Sequence, residues 1–421
     1  MSNFHIFIDY EWKKTDIKIP SIFYQKGFCE RSKNQWVRFK VTGIIEYQDE
    51  IFIILPKGTE LSLYDSEIDK KKIARLLYKV LKKYSKTSFL DQEERYWLGE
   101  NDSTKVFEIV QWLFEDYRQN GLIKMQRRNE QINGKGRINW SKTLRKRNPV
   151  LVKKKLVYLD LITSKNDLVI DQDVTLIHAS ILKEATIRFG WLFNFEFNFN
   201  CENVKYNTKE FQYKLQKSLN NTYVGREITL FKKLLSYLKF VSKEKKSDGL
   251  CYMVTPFFNS IWEKICALFI GDIPKLHSMV PNPYWVFKGQ LYNTTQKPDI
   301  LLQLGNKLVI FDAKYYRIKV GLDKLPGWGD IVKQLFYALS MKESFNGVFN
   351  IFLFPDTPDT KDSGFAFLGY ASVSKKEDEF GKILAFGLDI ETVMKFYVDE
   401  LHTSKHQEFL QGILEECITQ Q

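Results

Sequence analysis

In the last third of the chain, hydrophobic residues switch between helical and strand spacing. Residues 259–270 are apolar at helical spacing and stop at Gly271, the pattern of a helix with a glycine end. Two short apolar runs follow, 300–304 and 307–313, joined through Gly305 and Asn306, and together they predict a buried hairpin. Residues 330–342 return to helical spacing with Ile331, Leu335, Ala338 and Leu339 on one face. Residues 347–354 are apolar on both faces and read as an interior strand, and 365–373 as an outer one. This order predicts a mixed sheet flanked by helices, so the fold class is α/β here and α+β overall.

The rest of the chain is less regular. Strand-like runs fill residues 1–65, notably Ile51 to Leu55 after the turn Tyr47-Gln48-Asp49-Glu50. Helices are expected over 68–86, with Ile73, Leu76, Leu77 and Val80 on one face, and over 103–120, where Phe107, Val110, Trp112 and Phe114 read as core. A strand-like stretch at 155–161 precedes helical patterns at 173–188 and 209–240, and 242–249 (SKEKKSDG) reads as a linker. The expected domains are 1–120, a mixed α/β region for partner coupling or DNA recognition; 121–245, a basic segment with a helical middle; and 246–421, the catalytic sheet.

A chain of 421 residues exceeds what one hydrophobic core usually organises. It offers no apolar stretch long enough to span a membrane and no signal segment, so a cytoplasmic protein without a membrane partner is expected. Five scattered cysteines argue against a disulfide framework or a zinc module, and His402 and His406 have no third ligand beside them. Charge is more informative. The net charge is +12, and nearly all of the excess falls between Lys124 and Lys155, where Arg127, Arg128, Lys135, Arg137, Lys142, Arg145, Lys146 and Arg147 stand among other cations against the single acid Glu130. Such a segment suits a phosphate backbone, because each neutralised phosphate releases counterions; an acidic partner and a solvated basic loop are the alternatives.

The hairpin carries the candidate chemistry. Asp299 opens its first run, and Asp312-Ala313-Lys314 ends the second. Strand alternation puts Asp312 and Lys314 on one side, and the turn returns Asp299 to their level. Two buried carboxylates beside one lysine make sense if a cation completes them, and Mg²⁺ takes oxygen ligands of this kind while keeping waters for a phosphate. Similar strings at Asp69-Lys70-Lys71 and Asp359-Thr360-Lys361 lack a strand to hold them. Glu263 is the carboxylate of the preceding helix. It reads equally as a metal ligand and as half of a capping box with Ser260. On the following helix, Lys333 and Gln334 alone would pass for a solvated face, with Tyr337 one turn on.

Asp299, Asp312-Ala313-Lys314, the helix with Glu263 and the helix with Lys333-Gln334 and Tyr337 together resemble the PD-(D/E)xK nuclease superfamily. Within it, Thr42-Gly43-Ile44-Ile45 leading to Ile54-Leu55-Pro56-Lys57, then Gly136 to Thr143 (GRINWSKT), then Trp262-Glu263-Lys264 make the chain similar to restriction endonucleases of the LlaJI type, whose nuclease subunits are McrC-like. The resemblance implies a restriction-endonuclease-like core at 246–421 and a Mg²⁺-dependent DNA endonuclease. It further implies that Glu263, Asp299 and Asp312 bind the metal, that Lys314 assists catalysis and that Gln334 is an accessory. It implies a separate McrB-like AAA+ GTPase as partner, and the chain contains no G-x-x-x-x-G-K-[ST] phosphate loop of its own. Oligomerisation is left open. Two other readings stand beside it: a stand-alone nuclease of repair or resolvase type, and an inactive DNA-binding assembly subunit.

Overall fold

The computed structural model describes residues 3–32, 35–48, 50–87, 90–100, 102–169, 172–198, 207–244, 250–318, 325–356, 364–399 and 404–419. Its contacts group into two units, Met1–Lys105 with Asp248–Gln421, and Val106–Ser247. This partition differs from the three segments expected from sequence, because both ends of the chain contribute strands to one body.

The first unit opens with a four-stranded sheet. Strands β1 (Asn3–Ile8), β2 (Thr42–Tyr47), β3 (Glu50–Leu55) and β4 (Leu250–Thr255) run in the order β1-β3-β2-β4, with β1 parallel to β3 and the other pairs antiparallel. No sequence signal marks β4, Leu-Cys-Tyr-Met-Val-Thr, as a strand. A short run apolar on both faces has no period to read, and only pairing with β2 makes it a strand. Gly43 is required there: it sits at φ +145°, and a Cβ would lie 2.1 Å from the Met253 carbonyl oxygen. Phe7, Phe23, Phe28, Phe39, Phe52 and Tyr252 form the aromatic core beside this sheet. Helix α1 (Glu67–Ser85) starts at Ser66, whose hydroxyl accepts the Asp69 amide, and it buries Ile73, Leu77, Val80 and Leu81.

The same unit holds the second, five-stranded sheet. Its elements are α2 (Phe258–Ile270), the ribbon β5 (Tyr284–Phe287) and β6 (Gln290–Asn293), β7 (Ile300–Leu304), β8 (Lys307–Ala313), α3 (Trp328–Met341), β9 (Gly347–Asp356), β10 (Phe365–Ala371), β11 (Ile383–Asp389) and α4 (Ile390–Asp399). The order is β7-β8-β9-β11-β10, with β8, β9 and β11 parallel and antiparallel strands at both edges. This is the expected mixed sheet flanked by helices. Phe311, Ile351, Phe352, Leu353 and Phe354 fill its interior, as the two-faced apolar run predicts. The two ends of the chain are also pinned by side chains: Tyr64 Oη donates to Glu391 at 2.7 Å, and Lys83 Nζ to the Tyr397 carbonyl at 2.6 Å.

Two local expectations are corrected. Helix α2 begins at Phe258 with Phe257 as an N-cap lacking a side-chain bond, so Ser260 lies inside the helix and forms no capping box with Glu263. Helix α3 buries Gln334, Leu335, Tyr337 and Met341, while Leu339 is exposed, because the helix is rotated toward the sheet through Gln334.

The second unit is built from a small sheet and helices. Strands Met125–Ile132, Ile162–Val169 and Arg137–Ile138 pair antiparallel, Trp140–Lys146 is helical, and Val150–Val152 pairs with Lys155–Val157 as a hairpin. The basic segment is therefore folded structure. Helices Gln172–Phe193, Thr208–Asn221 and Gly225–Glu244 follow. The pattern at 209–240 is two helices and not one, broken where Thr222 Oγ1 accepts the Val224 amide. Arg226 grips Asp116 through Nε at 2.9 Å and Nη2 at 2.8 Å, an ion pair inside this unit. Of the expected linker, 245–249 lies outside the described residues, as does His402.

Candidate active site

Register places the two aspartates opposite each other. Ile300 pairs with Phe311 in the β7–β8 ladder, so the next position outward sets Asp299 across from Asp312. The Ala313 amide donates to Asp299 Oδ2 at 2.8 Å, which fixes that carboxylate at the strand end. Asp312 is 1% exposed, on a strand between two hydrogen-bonded neighbours.

Two lysines converge on Asp312. Lys333 Nζ, from α3, donates to Oδ1 at 2.7 Å. Lys314 Nζ lies 2.7 Å from Oδ2 and forms an ion pair with it. Lys314 also donates to Asp330 Oδ1 at 2.6 Å, one helical turn before Lys333. Burial works against the Lys314 ammonium, yet the carboxylates of Asp312 and Asp330 outweigh it and hold its pKa above the ordinary lysine value.

The acids crowd one another. Burial first, and then the charge of Asp312, raises the Asp299 pKa, although the Ala313 amide works the other way. Glu263 is pushed up to about 7 by loss of solvation and by the charges of Asp299 and Asp312. Its side chain keeps solvent access. The two neighbouring charges act on it through proximity alone. All three carboxylates thus sense each other within one site.

This donor set fits a hard divalent cation. It offers oxygen ligands only, three carboxylates against two ammonium groups, and a position open to solvent at Glu263. The ammonium groups at present neutralise Asp312, and among the described residues no three carboxylate, histidine or cysteine side chains already stand in ligating geometry. A metal would share this charge with Lys314 and Lys333.

Gln334 is fully buried, donating Nε2 to the Ile310 carbonyl at 3.0 Å, while its Oε1 has no partner. It is thus no solvated face residue; it ties α3 to the strand that carries Asp312. Residues that sequence reading passed over complete the surroundings. Tyr315 follows Lys314 and donates to Asp9 Oδ2 at 2.7 Å, while its oxygen accepts the Lys57 amide at 3.0 Å. Thr42 Oγ1 also donates to Asp9 Oδ2, and Lys57 Nζ reaches the Tyr315 carbonyl at 3.2 Å. A cleft of about 470 Å³ opens beside Asp330, lined by Tyr10, Arg38, Lys57, Tyr316 and Arg317. Asp330 had one signal in the sequence, its three-residue spacing from Lys333; Asp9 had none.

The basic residues lie in the second unit. Lys135, Arg137, Lys142, Arg145 and Lys146 are exposed, Arg147 is half-buried, and Lys142 Nζ pairs with Glu130 at 2.7 Å. Arg127 and Arg128 lie on a strand, with side chains outside the described residues.

Known proteins resemble this chain over most of its length. A family model described as LlaJI restriction endonuclease matches residues 41–400. Over 364 residues the chain is 28% identical to the Type II restriction enzyme BsuMI component YdjA of Bacillus subtilis (strain 168), covering 81% of this chain and 77% of that one. A solved half-complex from a tetradecameric assembly of Thermococcus gammatolerans McrB AAA+ hexamers with bound McrC matches with a TM-score of 0.40 and 12% identity, over 98% of this chain and 100% of that one.

Proposed function

The chain belongs to the LlaJI restriction endonuclease family, and from that premise we propose that it is a Mg²⁺-dependent DNA endonuclease, the cutting subunit of a restriction system. The observation that carries the reading is the convergence of Glu263, Asp299 and Asp312 on one site beside the Lys314 ammonium. In this reading the arrangement is of PD-(D/E)xK type, with Asp299, Asp312 and Glu263 as metal ligands. Bound Mg²⁺ would supply Lewis-acid neutralisation of the phosphate and a more acidic water.

The chain's own groups do the rest. Lys314, kept protonated by Asp312 and Asp330, lends a fixed positive charge to the phosphoryl oxygens as negative charge develops. Asp299 is aimed by the Ala313 amide, and Gln334 holds the β8 backbone against α3. Exposed Lys135, Arg137, Arg145 and Lys146, with Lys142, Arg147 and the strand bearing Arg127 and Arg128, would give a phosphate-backbone contact to the second unit.

A motor partner belongs to the same proposal. The chain has no phosphate loop, and the Bacillus relative is by its name one component of a restriction enzyme. A separate AAA+ GTPase, McrB-like, would supply translocation. The test is plasmid cleavage in Mg²⁺ by the purified chain, with and without the partner and GTP. Asp312→Ala and Lys314→Ala are each expected to abolish cutting while circular dichroism stays native. Cutting at the parental rate by either variant would overturn the active-site assignment, and full activity without partner or nucleotide would favour a stand-alone nuclease.

A further inference from the structure

We infer that the ribbon formed by β5 and β6 is a base-stacking element for DNA beside the cutting centre. The inference rests on the nucleic-acid reading above and goes beyond it in naming the surface that meets the bases.

The ribbon is an insertion between two site carboxylates. The chain leaves α2, which bears Glu263, and reaches Asp299 through this hairpin. Tyr284, Trp285, Val286, Phe287, Leu291 and Tyr292 are between 50% and 69% exposed, on both faces of a two-stranded sheet that, among the described residues, pairs with no other strand. Such a ribbon has no core of its own to bury these side chains. Chance exposure of single apolar residues is ordinary, whereas six in one eight-position ladder form a patch.

The pattern within the patch points to bases. Trp285 pairs with Tyr292 across the ladder, and alternation adds Phe287 to the same side, so one face is aromatic and the other carries Tyr284, Val286 and Leu291. Flat rings tolerate any base, because every base presents a π-face. The tip is a two-residue turn with both residues left-handed, Lys288 at φ 51° and Gly289 at φ 79°, which makes it tight and places a cation at the end. The Lys288 ammonium lies 5.4 Å from the Phe287 ring centroid. No acidic residue occurs from Ile273 to Pro298, while Lys275, Lys288 and Lys297 are exposed. Rings interleaved with cations, free of acids, complement a polyanion carrying unstacked bases.

The test uses the full chain without Mg²⁺ and a fluorescein-labelled oligo(dT) strand, followed by anisotropy across a salt series. Trp285→Ala and Tyr292→Ala are each expected to weaken binding roughly tenfold or more, with Trp285→Phe within about threefold of the parent. The slope of log affinity against log salt stays unchanged, because stacking releases no counterions. Equal affinity for parent and Ala variants overturns the proposal, and so does a parent chain that binds no DNA. A dimer that becomes monomeric in sedimentation velocity on Trp285→Ala, with DNA affinity kept, overturns it in favour of self-association. Trp285-dependent binding by a chain that fails to cut in Mg²⁺ leaves the stacking element standing and rejects the nuclease reading; the two failures are therefore distinguishable.

Discussion

Tyr315 Oη donates a 2.7 Å hydrogen bond to Asp9 Oδ2, so the residue after the site lysine is held by the residue that follows β1. The same tyrosine oxygen accepts the Lys57 amide, and the Lys57 ammonium lies 4.7 Å from the Tyr315 ring centroid. The amino-terminal sheet therefore sets the direction in which the chain leaves β8, and with it the base of the Lys314 side chain.

Removing that hydroxyl should act on both stability and cutting. Tyr315→Phe leaves the Lys57 amide without its acceptor and Asp9 with one donor fewer. Unfolding free energy is expected to fall by about 1–3 kcal/mol. Cleavage per folded molecule should fall roughly tenfold or more, since small misplacements of a catalytic group are costly. Urea titration and single-turnover cleavage measure the two effects. An unchanged cleavage rate would show the contact to be structural only.

Asp9 itself should make stability depend on pH. Burial, opposed by the Thr42 and Tyr315 hydroxyls, raises its pKa from 3.8 to about 6. A carboxyl whose folded pKa exceeds its unfolded one favours the folded state while protonated. Its contribution is thus complete below about pH 4 and is lost as pH rises to about 6. The loss is on the order of 3 kcal/mol. Asp9→Asn keeps an acceptor for Thr42 and cannot ionise. Denaturation at pH 4 and pH 7 should show the parent's advantage over Asp9→Asn at the lower pH shrinking at the higher one; a constant difference would refute the assignment.

Lys333 should compete with a metal for Asp312. Its ammonium donates to Oδ1, one of the two oxygens a cation would need. Lys333→Met is expected to tighten Mn²⁺ binding by roughly up to tenfold in calorimetry, because a like charge is removed from the site. Weaker binding in this variant would mean that Lys333 supports the ligand geometry and does not oppose it.

Much of the catalytic sheet was legible because its signals are local. Asp299, Asp312 and Lys314 sit on a hairpin whose period and turn are written in consecutive residues, and β9 declares itself by being apolar on both faces. Taken alone, Gln334 reads as a solvated residue and only the resemblance makes it an accessory, yet the structure buries it, since helical spacing gives relative faces and not which one turns to the sheet. The Ser260 to Glu263 spacing suggested a cap, yet α2 starts two residues earlier, at Phe258.

By itself the sequence determined the strands, the turn and the chemical types gathered on them, because backbone periodicity and turn preferences act over a few residues. Only the tertiary structure decided that β4 joins β2, that both chain ends form one body, and that Asp330, Asp9 and Lys57 stand around Lys314 and Tyr315. Those pairings join residues as far apart as 306 positions, and their energy comes from desolvation and hydrogen-bond geometry, which exist only once the sheets have packed.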